Sequence, residues 1–188
     1  MKAVIFDWGG VLIDNPVLGL VTEFSKKLDM DGKDVLKFFN ENINDFDRGK
    51  ISEEEFWEGF GKKPGKIWKS GFEKAYSEKK EIFELARELK SKGIKVGFLS
   101  NTEKPSVEFF KEQGHDMFDA EVFSCDEGVL KPAPEIYEII LKRLGVKASE
   151  AVFIDDRIDN VKGFEALGGK GILFESVQQI KEELEKVI

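Results

Sequence analysis

The sequence predicts an α/β fold, in which a mostly parallel, five-stranded sheet is covered by helices and a small helical segment is inserted after the first strand. Short apolar runs without alternation, as expected for strands buried on both faces, alternate with segments that repeat apolar residues at helical spacing. The stretch 15–76 contains helical patterns alone. The chain has 188 residues, which suits one core domain with a smaller insertion.

The first predicted strand, 3–6, ends at Asp7 and at the pair Gly9-Gly10. Apolar residues at helical spacing then predict one helix over 17–28 and a second one around Val35. Ser52 and Glu55 have the spacing of a capping box, which predicts that a third helix begins there. A looser segment around Trp68 completes the helical insertion.

From residue 77 onwards, strand and helix patterns alternate. A helix that ends near Gly93 is followed by strand 94–99, and a helix from about residue 103 or 105 leads to strand 120–124. Pro134 opens a helix that ends near Gly145. Strand 151–155, a helix over 161–167, strand 171–174 and a last amphipathic helix over 180–187 complete the chain. This alternation predicts a mostly parallel sheet with helices on both faces.

Composition excludes several classes of function. The net charge of −8 provides no electrostatic attraction to nucleic acid, and no apolar run is long enough to span a bilayer. Cys125 is the only cysteine, so it forms no internal disulfide, and we expect it to be a buried small hydrophobe. We expect a cytoplasmic monomer or homodimer that binds a small molecule.

Polar residues follow the predicted strands at one edge of the sheet, where open α/β sheets bind their ligands. Asp7 follows the first strand, Ser100-Asn101 the second and Asp155-Asp156 the fourth, and Lys131 lies in the loop after the third. Carboxylates that bind a metal, a hydroxyl and a cation are the groups that phosphoryl transfer needs. Taken singly, Asp7 could start a turn, Ser100 could cap a helix and Lys131 could be a solvated surface lysine.

Four segments resemble the haloacid dehalogenase (HAD) superfamily: FDWGGVL at 6–12, FLSNT at 98–102, GVLKPAPEIY at 128–137 and FIDDRIDN at 153–160. They stand in family order, and the chain is most similar to the phosphatase branch with a helical class 1 cap, close to sugar-phosphate phosphatases. The resemblance implies a Rossmann-like core formed by 1–14 and 77–188, with a cap at 15–76.

By this resemblance, Asp7 is the nucleophile that forms an aspartyl-phosphate. Mg²⁺ is held by Asp7, by the Gly9 carbonyl and by Asp156, while Asp155 acts through water. Ser100 and the Asn101 amide bind the phosphoryl group, and Lys131 neutralises it. A hard dication suits oxygen ligands and allows an anionic carboxylate to approach a phosphate.

Gly9 is a departure from the family pattern. Phosphatases of this family usually carry there a second aspartate, which protonates the leaving group and then activates water. A positioned acid/base contributes about 10²- to 10⁴-fold, so we expect slow dephosphorylation and a preference for acidic leaving groups. Replacing Gly9 with Asp should raise turnover on alkyl phosphates.

Two other functions remain open. Dehalogenases of the superfamily lack the second acid, but they also dispense with the metal, whereas this chain keeps Asp155 and Asp156. A catalytically weak protein that binds a phosphorylated ligand or a partner is the other alternative. Chloride release in a chelator, or ligand stabilisation without phosphate release, would indicate one or the other.

Substrate choice is expected to lie in the cap. Arg48, in a predicted cap loop, is the best candidate for binding an anionic or hydroxylated substrate, although it could also lie in a solvated turn. Asn15 and Arg157 are expected near the entrance, while Asp159 and Asn160 are expected to cap a helix and brace the acid loop. Aromatic residues either form a wall over the site or the core of the cap; they are Phe46, Trp57, Phe60, Trp68 and Tyr76.

Overall fold

The computed structural model describes residues 1–188 and contains one parallel sheet of five strands. The strands are β1 (Ala3–Phe6), β2 (Lys95–Ser100), β3 (Ala120–Phe123), β4 (Ala151–Asp155) and β5 (Lys170–Leu173). Their order is β3-β2-β1-β4-β5, so β1 lies at the centre and pairs in parallel with β2 and β4. The predicted five-stranded parallel sheet is confirmed.

Four helices follow β1 before the chain returns to the sheet. They are α1 (Val17–Leu28), α2 (Gly32–Asp47), α3 (Glu53–Gly59) and α4 (Trp68–Ala75). The predicted capping box at the start of α3 is present, because Ser52 accepts a hydrogen bond from the Glu55 amide and Glu55 accepts one from the Ser52 amide. The insertion is therefore helical as predicted, and its treatment as a separate cap domain at 15–76 stays a prediction.

The remaining helices connect and cover the strands. They are α5 (Lys80–Ser91), α6 (Lys104–Glu112), α7 (Ser124–Glu127), α8 (Pro134–Leu144), α9 (Ile158–Glu165) and α10 (Val177–Glu185), with one 3₁₀ turn at Ala148–Glu150. The prediction missed α7 and the 3₁₀ turn. It also placed the start of α9 and of α10 three residues too late. For α10 the reason is that Ser176 accepts a hydrogen bond from the Gln179 amide and starts the helix one residue later.

The sheet separates two apolar clusters, as the absence of alternation in the strands predicted. Val4 and Phe6 point into the larger cluster, and Ala3 and Ile5 into the smaller one. α5, α6 and α10 cover the first face, and α8 covers the other. The larger cluster continues without a break into the helices that follow β1.

Trp8 joins the sheet to the inserted helices. Its ring lies 4.8 Å from the ring of Phe72 in α4 and 5.3 Å from that of Phe110 in α6, measured between centroids. The inserted helices are therefore anchored on apolar side chains directly beside the end of β1. None of the helices combines the length and the apolar composition needed to cross a membrane.

Candidate active site

A cavity of about 280 Å³ lies at the carboxyl ends of β1, β2 and β4. Asp7, Ser100 and Asp156 line it from the ends of three strands, and Lys131 lines it from the loop after α7. Four distant segments of the sequence therefore meet at one place, on the sheet edge where the sequence analysis expected them. The inserted helices line the opposite side of the cavity.

Lys131 is the centre of the buried charge cluster. Its ammonium nitrogen Nζ lies 2.6 Å from Asp7 Oδ1 and 2.7 Å from Asp155 Oδ2, and it also donates a hydrogen bond to the Leu99 carbonyl. The Lys131 side chain is 1% exposed. A charge buried this deeply is tolerated only when it is paired, so Lys131 is an integral part of the acid cluster and not the solvated lysine considered above.

Burial and the neighbouring charges have opposite effects on the pKa values in this cluster. Burial raises the pKa of Asp7 to about 8, Asp155 adds to the rise, and Lys131 opposes it. Burial alone would lower the pKa of Lys131, but the charges of Asp7 and Asp155 outweigh it and place that pKa above its ordinary value. For Asp7, burial therefore outweighs the stabilisation that Lys131 gives to the carboxylate.

The two acids at the end of β4 have different surroundings. Asp155 is fully buried and accepts hydrogen bonds from Lys131, from the Arg157 amide and, with both oxygens, from the Asn160 side chain. Asp156 is partly exposed and lines the cavity. The structure therefore gives Asp155 the position of a bracing residue and Asp156 that of a residue open to a ligand. Asn160 braces the acid loop as predicted.

Gly10 allows the loop after β1 to pass close to Asp156. Its φ is +87°, a conformation that favours glycine, and a β-carbon built on it would overlap the Asp156 carboxylate. The second glycine after Asp7 is therefore required for both its backbone conformation and this close approach.

The donor set at this edge fits a hard divalent cation. Carboxylate oxygens of Asp7, Asp155 and Asp156 lie within 4.8 Å of one another. Burial, followed by the charge of Asp155, also raises the pKa of Asp156. Oxygen donors that carry surplus negative charge are the ligands that Mg²⁺ prefers.

Ser100 and Asn101 contribute differently to the site. Ser100 is 3% exposed and lines the cavity; the hydrogen bond of its hydroxyl to the Asn101 carbonyl is long, at 3.4 Å. The Asn101 side chain donates to the Lys131 carbonyl at 3.0 Å and accepts from the Lys131 amide at 2.8 Å. The Asn101 side chain therefore ties the loop that carries Lys131 to the end of β2. Ser100 faces the cavity.

Gly9 lines the cavity, at the position where the resemblance described above implies a second acid. A β-carbon built on Gly9 would lie 3.3 Å from Pro16 Cδ, and no other atom outside its chain neighbours would be within 4 Å. The position therefore has room for a side chain after a small shift, so crowding does not require a glycine there.

Arg48 is the predicted site residue that the structure does not bring to the cavity. Its guanidinium lies 3.6 Å from Asp45 Oδ1, and it does not line the cavity. Its neighbour Asp47 does line the cavity. The prediction for Arg48 rested on its positive charge, and the structure brings Asp47 of the same turn to the cavity instead.

The sequence analysis also missed Glu103, which is 5% exposed and lines the cavity beside Thr102. Its position before the proline of α6 suggested no more than a helix start. Trp57 and Trp68 are at most 1% exposed and pack in the core, so they form no wall over the site. Asn15 and Arg157 do line the cavity; its apolar wall consists of Ile13, Val17, Leu20, Phe39, Ile43 and Phe72, with Trp8 beneath.

Comparisons with known proteins agree with this geometry. Residues 1–168 match the family model of haloacid dehalogenase-like hydrolases. A sesquiterpene phosphatase of Aspergillus oryzae is 33% identical over 181 residues, which cover 91% of this chain and 88% of that protein. A D-ribitol-5-phosphate phosphatase of Bacteroides thetaiotaomicron is 26% identical and covers 100% of this chain and 98% of its own length.

Solved structures share the fold. A HAD phosphatase from Thermococcus onnurineus superposes with a TM-score of 0.75 at 21% identity, covering 98% of each chain. A HAD family enzyme from Bacteroides thetaiotaomicron, solved as its magnesium complex, superposes with a TM-score of 0.77 at 22% identity, covering 93% of each chain. The family match and the relatives together show that this chain belongs to the haloacid dehalogenase-like hydrolases.

Proposed function

We propose that this protein is a Mg²⁺-dependent phosphatase that hydrolyses a small phosphorylated metabolite, such as a sugar phosphate, through an aspartyl-phosphate on Asp7. The observation that carries the proposal is the position of Asp7, which lines the cavity with Ser100 and Asp156 while its carboxylate is paired with Lys131. A nucleophile, an acid for the metal, a hydroxyl and a cation are thus within one small site.

Two contacts to its Oδ1 fix the orientation of Asp7. The Trp8 amide donates a hydrogen bond at 2.7 Å, and Lys131 forms an ion pair at 2.6 Å. In the proposed first step, an Asp7 carboxylate oxygen forms a bond to phosphorus while the bond from phosphorus to the ester oxygen breaks. The Ser100 hydroxyl and the Asn101 amide hold the phosphoryl oxygens.

Asp7, Asp156 and the Gly9 carbonyl would hold Mg²⁺, with Asp155 supporting the arrangement from behind. When bound, the cation supplies the positive charge that lets a phosphate dianion approach a carboxylate. Lys131 keeps the Asp7 carboxylate paired, and the cavity limits the access of water to the reacting atoms.

The cavity wall supports a small substrate with hydroxyl groups. Asn15, Asn40 and Asn44 provide amide groups that hydrogen-bond hydroxyls, and Phe39 and Phe72 provide apolar contact. One relative is named as a phosphatase of an apolar substrate, a sesquiterpene, and another as a phosphatase of a polar one, ribitol 5-phosphate. The lining of this cavity contains both apolar and polar groups. We propose a polyol phosphate as the substrate because Asn15, Asn40 and Asn44, all in the insertion, line this cavity.

A phosphate-release screen tests the proposal. Sugar phosphates, nucleotides and aryl phosphates are incubated with the enzyme in Mg²⁺ and again with a chelator, with Asp7→Asn as the inactive control. We expect release from at least one alkyl and one aryl ester in Mg²⁺ alone. Ligand-induced stabilisation without release would favour the binding alternative, and chloride release from a haloacid in chelator would favour dehalogenation.

A further inference from the structure

A second pair of carboxyl groups lines the same cavity as Asp7. Asp47 is the last residue of α2, in the insertion, and Glu103 immediately precedes α6, in the core. The two carboxyl groups interact directly, because the charge of Glu103 adds to the effect of burial and raises the pKa of Asp47. Two carboxylates that share a buried site repel each other, so this pair favours holding one proton.

The backbone around both residues is fixed. The Ser124 hydroxyl donates to the Asp47 carbonyl at 2.6 Å and accepts from the Thr102 amide at 2.8 Å, so one side chain ties the two acid-bearing segments together. Gly49, at φ +67°, packs so closely on the core that a β-carbon there would overlap the Cys125 carbonyl. The cavity-lining position of Asp47 is therefore built by contacts with the core.

The surroundings place the shared proton on Asp47. Glu103 accepts hydrogen bonds from the hydroxyls of Ser106 and Thr102, which stabilise its ionised form. Burial, followed by the charge of Glu103, raises the pKa of Asp47 well above its ordinary range, and Arg48 opposes this. Burial raises the pKa of Glu103 as well, but the hydroxyls of Ser106 and Thr102 oppose that rise, so Asp47 is the better holder of the proton.

We propose that Asp47, which lines the cavity beside Glu103, is the acid and base that replaces the carboxylate missing at Gly9. This inference rests on the proposed phosphatase function. Asp47 touches the substrate, and Glu103 acts through it as a positioning residue. Gly9 leaves the usual acid/base position without a titratable group, while Asp47 brings one to the same cavity.

Asp47 gives up a proton in the first half-reaction and takes one back in the second. As the bond from phosphorus to the ester oxygen breaks and Asp7 becomes phosphorylated, the Asp47 carboxyl gives its proton to the departing oxygen. In the second half, water attacks phosphorus, gives its proton to the Asp47 carboxylate, and the bond from phosphorus to Asp7 breaks. The adjacent Glu103 carboxylate makes ionised Asp47 a stronger base for that step.

The test compares esters whose leaving groups differ in acidity. An alkyl phosphate needs its leaving oxygen protonated, whereas p-nitrophenyl phosphate does not, and kcat/KM reports the first half-reaction alone. For Asp47→Asn we expect kcat/KM on the alkyl ester to fall by about 100-fold or more, and on the aryl ester by less than about threefold. With the aryl ester, labelled phosphoenzyme should accumulate because the second half-reaction has lost its base.

Glu41→Gln is the matched control, since Glu41 is an exposed acid on the same helix that does not line this cavity. We expect this variant to leave kcat/KM unchanged for both esters. Glu103→Gln should move the alkaline limb of the alkyl pH profile to lower pH, because Asp47 then lacks its ionised neighbour while Arg48 remains. This shift is a result that a merely structural role of Glu103 would not produce.

Adding Gly9→Asp to Asp47→Asn should raise kcat/KM on the alkyl ester at least about tenfold above that of Asp47→Asn alone, because the usual acid position is then filled. An equal loss on both esters, an unchanged alkyl kcat/KM, or an unmoved pH profile in Glu103→Gln would overturn the inference. If the unaltered enzyme neither hydrolyses the aryl ester nor forms a phosphoenzyme, the phosphatase proposal itself is wrong, which is a separate result.

Discussion

Replacing Gly10 with alanine should weaken Mg²⁺ binding by moving Asp156. Gly10 has a φ of +87°, and a β-carbon there would overlap the Asp156 carboxylate, so either the loop or the acid must shift. The left-handed backbone alone costs an L-residue about 1–2 kcal/mol, which predicts a fall in Tm of about 2–8 °C for a chain of this size. Because the displaced acid is a proposed ligand, the Mg²⁺ concentration at half-maximal activity should rise by about 10- to 100-fold.

Gly93→Ala is the control that separates the cost of the left-handed backbone from the displacement of Asp156. Gly93 has a φ of +81°, nearly that of Gly10, but a β-carbon there would have no neighbour within 4 Å. We expect it to lower Tm by a similar amount and to leave the Mg²⁺ dependence unchanged. The increase in Tm on adding Mg²⁺ provides a second readout that requires no turnover.

Equal Mg²⁺ dependence in the Gly10 and Gly93 variants would refute this reasoning. It would mean that Asp156 either tolerates displacement or does not contact the cation. A Gly10 variant with unchanged Tm would contradict the assumption that the backbone there holds its left-handed conformation.

Three further predictions concern buried groups. Lys131→Met should abolish phosphatase activity. It should also lower the free energy of unfolding, measured in urea without metal, by about 3–5 kcal/mol, because Asp7 and Asp155 lose their buried cation. An unchanged free energy of unfolding would argue against the pairing. Burial raises the pKa of the Cys125 thiol to about 12, so iodoacetamide at pH 8 should label it in urea and leave the native protein unlabelled. Burial lowers the pKa of His115, so the folded state binds a proton less well than the unfolded chain, and stability should fall as the pH drops below about 6.5. His115→Phe should reduce the difference in Tm between pH 5 and pH 8; an equal difference would show that other groups cause it.

The strands were predictable because their apolar residues are local and uninterrupted. β1 and β4 match the prediction at both ends, whereas the predicted 94–99 and 120–124 each differ by one residue at one or both ends. Ser100 extends β2 because it pairs with Phe123 across the sheet, a long-range contact that no local pattern indicates. β3 stops before Ser124, whose hydroxyl is used by Asp47 and Thr102.

The site was predictable where the fold alone determines position. Asp7 and Asp156 follow adjacent parallel strands, so topology is sufficient to bring them together. Asp47 and Glu103 were missed because their contact depends on how α2 docks on the core, which the sequence pattern of neither segment reveals. Arg48 was selected on charge alone, and charge does not determine which side of a turn faces inwards.

Charge balance explains why the second pair of acids should share a proton. Asp7, Asp155 and Asp156 lie together around the single positive charge of Lys131, and burial raises the pKa of Asp7 to about 8 despite that charge. A dication offsets two charges, and the phosphate of a substrate then adds two more. Two further free carboxylates lining the same cavity would repel that phosphate, whereas a pair holding one proton halves the repulsion and keeps a donor in place. The proposed role of Asp47 therefore requires that it stay protonated until the ester bond breaks.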